Sequence, residues 1–389
     1  MYSGPYVFSQ VLECVRHWEF SRLAHRYGAS SGKLKLSAWE HFLAMAFAQL
    51  TFRDSLRDIE ACLQAHRPIA YHLGFRHPVR RSTLAYANEH RSPAFFEALC
   101  KRLMTRARTL YSDEPYAIEM DAQLFALDAT MIDLSVALCP WANWTGSDAA
   151  VKVHALLDLH GPVPAQVKIT SAEVNEMAYL DEIILHPGAY YLMDRGYLDL
   201  QRLRRFQQQG AYFLTRERAD LRFKVTDQRT LAPSPEVLTD QTIQFTGCTS
   251  RHTWPLPLRR LTVCDAHSCQ PLALWTNQMN LDAATLGQLY RQRWRIEIFF
   301  RWIKQNLRID HFYGLTPNAV RVQLWCCIAT YLTAAIARKQ HRIPASLSTF
   351  LQVVSISAFQ QVPLNQLFVD KPQNIDKSYN HNQLTFNGL

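Results

Sequence analysis

The sequence predicts an α/β protein with a mixed β-sheet core, an all-α stretch ahead of it and a β-rich insertion within it. Three observations predict this. Apolar residues recur at helical spacing through residues 1 to about 113. The pattern then changes to short apolar runs of strand type, separated by turns containing Gly and Pro. A long helical pattern returns from about Asp282 to Leu307, after a Pro- and Thr-rich stretch of short alternations. The chain has 389 residues, 48% of them hydrophobic, enough for a sizeable core and two or three domains.

In residues 1–113, Leu36 to Leu50 is strongly apolar and rich in helix formers. Asp54 is placed to cap the next helix, where Leu56, Ile59, Cys62 and Leu63 share a face. Gly74 interrupts AYHLGF, and Ser82 is placed to cap STLAYANEHR, which is followed by AFFEALCKRLMTRA. Helix, Gly-containing turn, Arg80-Arg81 and a second helix resemble a helix-turn-helix arrangement. Its second helix would present Thr83, Tyr86, Asn88 and Arg91 to a groove. A plain helical domain with an amphipathic surface fits the same pattern.

From residue 114 the strands begin: Leu124 to Thr130, Val151 to Gly161 and Ala165 to Thr170, the last two joined by a Gly161-Pro162 turn. Glu176 to Leu185 reads as a helix stopped by His186-Pro187-Gly188. Ala189 to Asp194 is a buried strand, Leu198 to Gln209 a helix ending at Gly210, and Ala211 to Thr215 another strand. Three strands, then helix, strand, helix, strand is the order of an RNase H-like mixed sheet. The chain thus divides into a helical domain (1–113), a first core segment (114–216), a β-rich insertion (217–277), a second core segment with the long helix (278–345), and a C-terminal segment with a polar tail (346–389). The apolar run from Leu324 to Ala337 is too short to span a bilayer and reads as a buried helix. The N-terminus has no signal-peptide pattern.

Lys and Arg total 42 against 33 Asp and Glu, a net charge of +9. Such a surplus favours polyanions, because each neutralised phosphate releases a counterion; a basic enzyme of another kind would share it. Much of it is Arg in short clusters, suited to bidentate phosphate contacts. The nine Cys are irregularly spaced without a CxxC pair, so reduced thiols in a cytoplasm are expected rather than a disulfide framework. Cys264, His267 and Cys269 lie close together but match no zinc spacing.

Asp128 sits inside the apolar strand FALDAT, where an unpaired carboxylate is costly. Asp194 ends the strand of YYLMDRGY, where ligands bind in layered α/β sheets. Either could instead cap a turn. In YRQRWRIEIFFRWIK, Tyr290, Arg293, Glu297 and Lys304 would fall within about 60° of arc on one helix. The other directions carry Ile296, Ile298, Phe299, Phe300, Trp302 and Ile303, so the polar stripe is expected to face a wet cleft inside the protein. Three carboxylates on two strands and a helix can hold two Mg2+ or Mn2+ ions for phosphoryl transfer. Arg and Lys of the same helix would hold phosphates.

Tyr-x2-Arg-x3-Glu-x6-Lys, LDAT and DRGY together resemble the motifs of bacterial DDE transposases of the insertion sequence four family, whose signature is YREK. CPWANW…VKVHALLDLHGPVPAQVKIT and FRDSLRDIEACL…YHLGF…RRSTLAYANEHR resemble other parts of that family, out to about residue 370. The resemblance implies that Asp128, Asp194 and Glu297 are the catalytic, metal-binding acids. It implies that Tyr290, Arg293 and Lys304, with Arg301 beside them, contact DNA near the cleaved end. It further implies a helical N-terminal DNA-binding module in which Thr83, Asn88 and Arg91 are the contact candidates. The expected activity is cleavage at terminal inverted repeats and joining to a target, in some members through a hairpin intermediate. A homodimer on double-stranded DNA in a bacterial cytoplasm is expected, with no membrane partner. Asn175-Glu176 replaces a His-Asp pair frequent in related sequences. A repurposed DNA-binding protein, or a metal-dependent nuclease on the same core, are the alternatives.

Overall fold

A computed structural model describes residues 4–30, 34–114, 120, 122–142, 145, 149–161, 163–230, 236–264, 270–306 and 312–369. Seven helices come first: α1 (Val7–Leu12), α2 (His17–Arg26), α3 (Ala38–Leu50), α4 (Leu56–Ala65), α5 (Arg67–Ala70), α6 (Arg81–His90) and α7 (Pro93–Tyr111). Local chemistry sets their starts. Ser37 and Glu40 form a reciprocal capping box on α3. On α4 the cap is Ser55, one residue after the expected Asp54. α6 begins at Arg81 with Arg80 in the cap position and no side-chain cap, so Ser82 does not play that part.

A nine-stranded sheet follows: β1 (Leu124–Leu134), β2 (Ala149–Asp158), β3 (Val163–Ser171), β4 (Tyr190–Met193), β5 (Tyr212–Arg216), β6 (Phe223–Gln228), β7 (Val237–Phe245), β8 (Leu258–Cys264) and β9 (Pro271–Thr276). The spatial order is β3-β2-β1-β4-β5-β9-β8-β7-β6. β1, β2 and β3 pair antiparallel, while β4 runs parallel to both β1 and β5. The strands of the expected insertion join this same sheet, since β9 pairs antiparallel with β5. The remaining helices are α8 (Leu200–Gln208), α9 (Cys248–Thr253), α10 (Ala283–Arg291), α11 (Trp294–Asn306), α12 (Pro317–Gln340) and α13 (Leu347–Ser357). The helix expected over 176–185 is a 3-10 turn over Glu176–Glu182.

Alternating side chains sort into two apolar layers, one on each face of the sheet. Leu124, Ala126, Tyr190, Leu192 and Leu214 join the layer that contains α7, α10, α11 and α12. Phe125, Leu127, Tyr191, Met193 and Phe213 join the opposite layer with α8 and Trp254. α12 has the length and hydropathy of a membrane span, but 94% of its most apolar window is buried within the fold. It packs on α3, α6, α7 and α13, so the N-terminal helices share one core with the sheet. Gly161 permits one close contact there, since a Cβ would come within 2.5 Å of the buried Tyr111 ring.

The long helix expected over 282–307 is broken. α10 ends at Arg291 and α11 starts at Trp294. Between them the backbone tightens, with Arg293 N bonding Tyr290 O and Ile296 N bonding Arg293 O, both three residues back. The four motif residues therefore do not form one straight stripe.

Candidate active site

Period-two alternation puts Asp128 on the same face as Leu124 and Ala126, toward α11, which packs against β1. The parallel register pairs Leu127 with Met193. Asp128 and Asp194 are the residues that follow this last pair on the two neighbouring strands. Asp194 lies just past the end of β4 and heads the 3-10 turn Arg195–Tyr197. Its backbone carbonyl accepts from Tyr197 N at 3.1 Å and Thr215 Oγ1 at 3.2 Å. Its side chain makes no capping bond, which removes the turn-cap explanation for this carboxylate.

Glu297 lies in the first turn of α11 and accepts from the buried Arg293 at 2.7 Å. Tyr290 is buried at the end of α10, and its hydroxyl donates to Met193 O at 3.4 Å. The Arg293 guanidinium lies 5.8 Å from the Tyr290 ring centre. The break between α10 and α11 thus sets Tyr290 against the end of β4 and turns Glu297 toward β1. Lys304 is half-buried further along α11, and Arg301 is exposed with its guanidinium 5.7 Å from the Trp294 ring. Trp294 and Ile298 are exposed as well, so α11 is not sunk in the core on all its apolar sides. Nothing is described of the Trp302 side chain.

Burial pushes the Asp128 carboxyl up to about 6; the Ala129 N–H and Arg293 act in the opposite sense, while Glu176 and Glu297 add to the rise. Ala129 N donates to Asp128 Oδ1 at 2.8 Å. Arg216, at the end of β5, lies 3.6 Å from Asp194, and its Nε is buried without a hydrogen-bond partner. Glu176 is 3.6 Å from Lys152, whose ammonium also donates to Val174 O. The Tyr197 hydroxyl is buried and unpartnered, with Asp128, Glu176 and Asp194 in its electrostatic surroundings. Arg216, Glu176 and Tyr197 were not singled out by sequence as site residues. Tyr197 was visible only within DRGY, Glu176 only as part of the Asn175-Glu176 departure, and Arg216 as a charge closing an apolar strand.

Among the described residues no three His, Cys, Asp or Glu side chains close on one point as a finished metal cage. The donor set nevertheless fits a hard divalent cation: a desolvated carboxyl wanting positive charge, two more acids on the same face, and a guanidinium beside each of those two. Of Cys264, His267 and Cys269, whose spacing matches no zinc site, the last two lie outside the described residues, as does the tail beyond 369.

The expected groove-facing residues of α6 are corrected by their surroundings. Asn88 and Arg91 are each 1% exposed. His41 Nε2 lies 2.7 Å from Asn88 Oδ1, and burial drives His41 down to about 3, so its ring is neutral. Arg91 donates to the carbonyls of Leu36 and Ser37. Asn318 of α12 donates to the backbone carbonyls of both residues. These side chains fasten α6 to α3 and α12 and have no path to a groove. Thr83 is half-buried, while Tyr86 is exposed and stacked on His90.

A family model described as transposase DDE domain matches residues 119–333, a span that holds all three acids. A second, described as a domain of unknown function, matches residues 3–76. A Sinorhizobium fredii protein named as transposase y4zB is 32% identical over 262 residues, covering 66% of this chain and 72% of that one. A Geobacillus stearothermophilus protein named as a transposase of insertion sequence element IS5377 is 28% identical, over 62% of this chain and 64% of its own. A Synechocystis protein named for insertion sequence element IS4SA is 22% identical, over 54% of this chain and 59% of its own.

Proposed function

Because the chain belongs to the DDE transposase family, a DNA transposase family dependent on divalent metal, we propose that Asp128, Asp194 and Glu297 are its catalytic acids, cleaving DNA at an element's terminal repeats and joining the ends to a target. The observation that supports this reading is the Leu127–Met193 pairing, which carries Asp128 and Asp194 on neighbouring strands, with α11 and its Glu297 packed against β1. A core of RNase H-like type is part of the proposal, supported by the order β3-β2-β1-β4-β5 with its antiparallel and parallel halves. Likeness to the IS4SA protein supports placing the chain near the insertion sequence four group.

The three acids would hold two Mg2+ or Mn2+ ions, which supply charge stabilisation for the attacking and leaving oxygens of phosphoryl transfer. Arg293 holds Glu297 by a charge-assisted hydrogen bond, and Arg216 supplies a counter-charge to Asp194. With the acids holding cations, the Arg293 and Arg216 guanidiniums would be placed to meet the scissile strand's phosphates. Tyr290 acts through the backbone: its bond to Met193 O steadies the residue before Asp194. Lys304 and Arg301 extend this positive rim along α11. Two protomers acting on two DNA ends in a bacterial cytoplasm complete the proposal, on family likeness.

Pre-cleaved ends incubated with a plasmid target and Mg2+ test the reading. A transposase yields joined product that Asp128→Asn eliminates. Cutting without joining would instead establish a nuclease, and neither product would establish a DNA-binding protein without catalysis.

A further inference from the structure

The N-terminal helices form a cleft of about 730 Å3 that the catalytic reading leaves unused. It lies between α2, the start of α3 and the stretch 71–77, inside the region of unassigned function except for His77 and Arg91. Phe20 and Trp39 form part of its lining, packed edge to face at 4.9 Å between ring centres. Gly74 lets the backbone close on that wall. At φ +98° a Cβ would sit 2.8 Å from Leu43 and 3.3 Å from the Trp39 nitrogen.

The rim is basic and aromatic. Lys35, Arg76 and His77 are exposed there, and Tyr71 is 73% exposed. The acidic lining residue, Glu40, is turned inward. It accepts from Arg76 N at 2.9 Å, His77 N at 3.3 Å and Ser37 Oγ at 2.7 Å, with the His77 ring 3.7 Å away. Those bonds pin the backbone that carries Arg76, so the cation is presented from an ordered loop rather than a loose one. Arg26 of α2 and Arg81 add exposed positive charge to the surrounding elements, while Arg80 is paired with Glu60 at 3.7 Å.

We propose that this cleft, and not α6, grips the backbone of duplex DNA, with Lys35 and Arg76 on phosphates at the rim and Tyr71 against the sugar edge. Charge complementarity selects the occupant. The carboxylate is spent on the loop, the rim is cationic, and duplex DNA presents one negative charge per about 1.7 Å of axis. The open shape suits a polymer lying across it. The inference rests on the transposase reading for its choice of DNA, and it replaces the groove contacts that burial denies to Asn88 and Arg91.

The test measures binding of a 40-base-pair DNA duplex of arbitrary sequence to the full chain across a salt series. The proteins are wild type, Lys35→Ala/Arg76→Ala, and the charge-conserving Lys35→Arg/Arg76→Lys. Two lost phosphate contacts should flatten the slope of log K against log salt by about 1.8. That shrinks the affinity loss between 50 and 200 mM salt by about tenfold. The charge-conserving variant should keep most of the slope, which separates contact loss from misfolding. An unchanged slope in the Ala variant, equal slope loss in both variants, or tighter wild-type binding to the equivalent RNA duplex would overturn the proposal. Mg2+-dependent nicking by Asp128→Asn is read separately. Its persistence would defeat the catalytic reading and leave the binding result intact.

Discussion

Asp128→Asn should make the metal-free protein more stable while removing its chemistry. Burial moves the carboxyl from 3.8 to about 6 in the folded chain. At 1.36 kcal/mol per pH unit, a shift of about two units penalises the charged native form by ~3 kcal/mol. The group is not fully buried, so ~1–3 kcal/mol is the working range. The direction follows from a raised acid. The penalty is absent below the unfolded value near 3.8, grows as pH rises through 4 to 6, and is complete above 6. Asn keeps the shape and can still accept from the Ala129 N–H, but carries no charge to desolvate. Calorimetric melting in EDTA at pH 4.5 to 8 should show the variant gaining on wild type as pH rises, by a few degrees at pH 7.5. Mn2+ should then raise the melting point of wild type much more than that of the variant. A variant that melts below wild type at pH 7.5, or a difference that ignores pH, would refute the reasoning.

Other perturbations separate structure from chemistry. Asp240→Ala strands Arg259, whose paired side chain is 3% exposed, and should cost about 3–5 kcal/mol in denaturant unfolding. Arg91→Ala should lower stability by about 1–3 kcal/mol in denaturant unfolding, through the uncovered Leu36 and Ser37 carbonyls. Arg216→Ala removes a cation 3.6 Å from Asp194. Calorimetry on DNA-free protein should show Mn2+ binding about two- to fivefold tighter, the worth of a partly exposed ion pair.

The acids were legible because period-two alternation is local: FALDAT and YYLMD each announce a strand with a carboxylate out of place. Their adjacency was not, since β1 and β4 meet only through a parallel register across distant segments. The α10–α11 break stayed hidden because Gln292 is itself αR, and the tightening shows only in the hydrogen bonds. Asn88 and Arg91 looked like groove-facing polar residues of a short helix, and their partners His41, Leu36 and Asn318 lie far away in sequence. The strands of 217–277 were readable one by one. Their joining to β5 depends on non-local pairing that no local pattern encodes. The surroundings of Arg216 and Glu176 are hidden from the sequence for the same reason, since each matters only through what the fold sets beside it.

The most direct measurement is Mg2+-dependent nicking of an end-bearing duplex by Asp128→Asn, Asp194→Asn and Glu297→Gln under single-turnover conditions, with duplex affinity measured alongside. The account predicts that each variant binds DNA near the wild-type level and loses nicking by about a hundred- to a thousandfold, the scale of losing a principal electrostatic element of catalysis. Wild-type nicking by any one of them, Glu297→Gln above all, would contradict it.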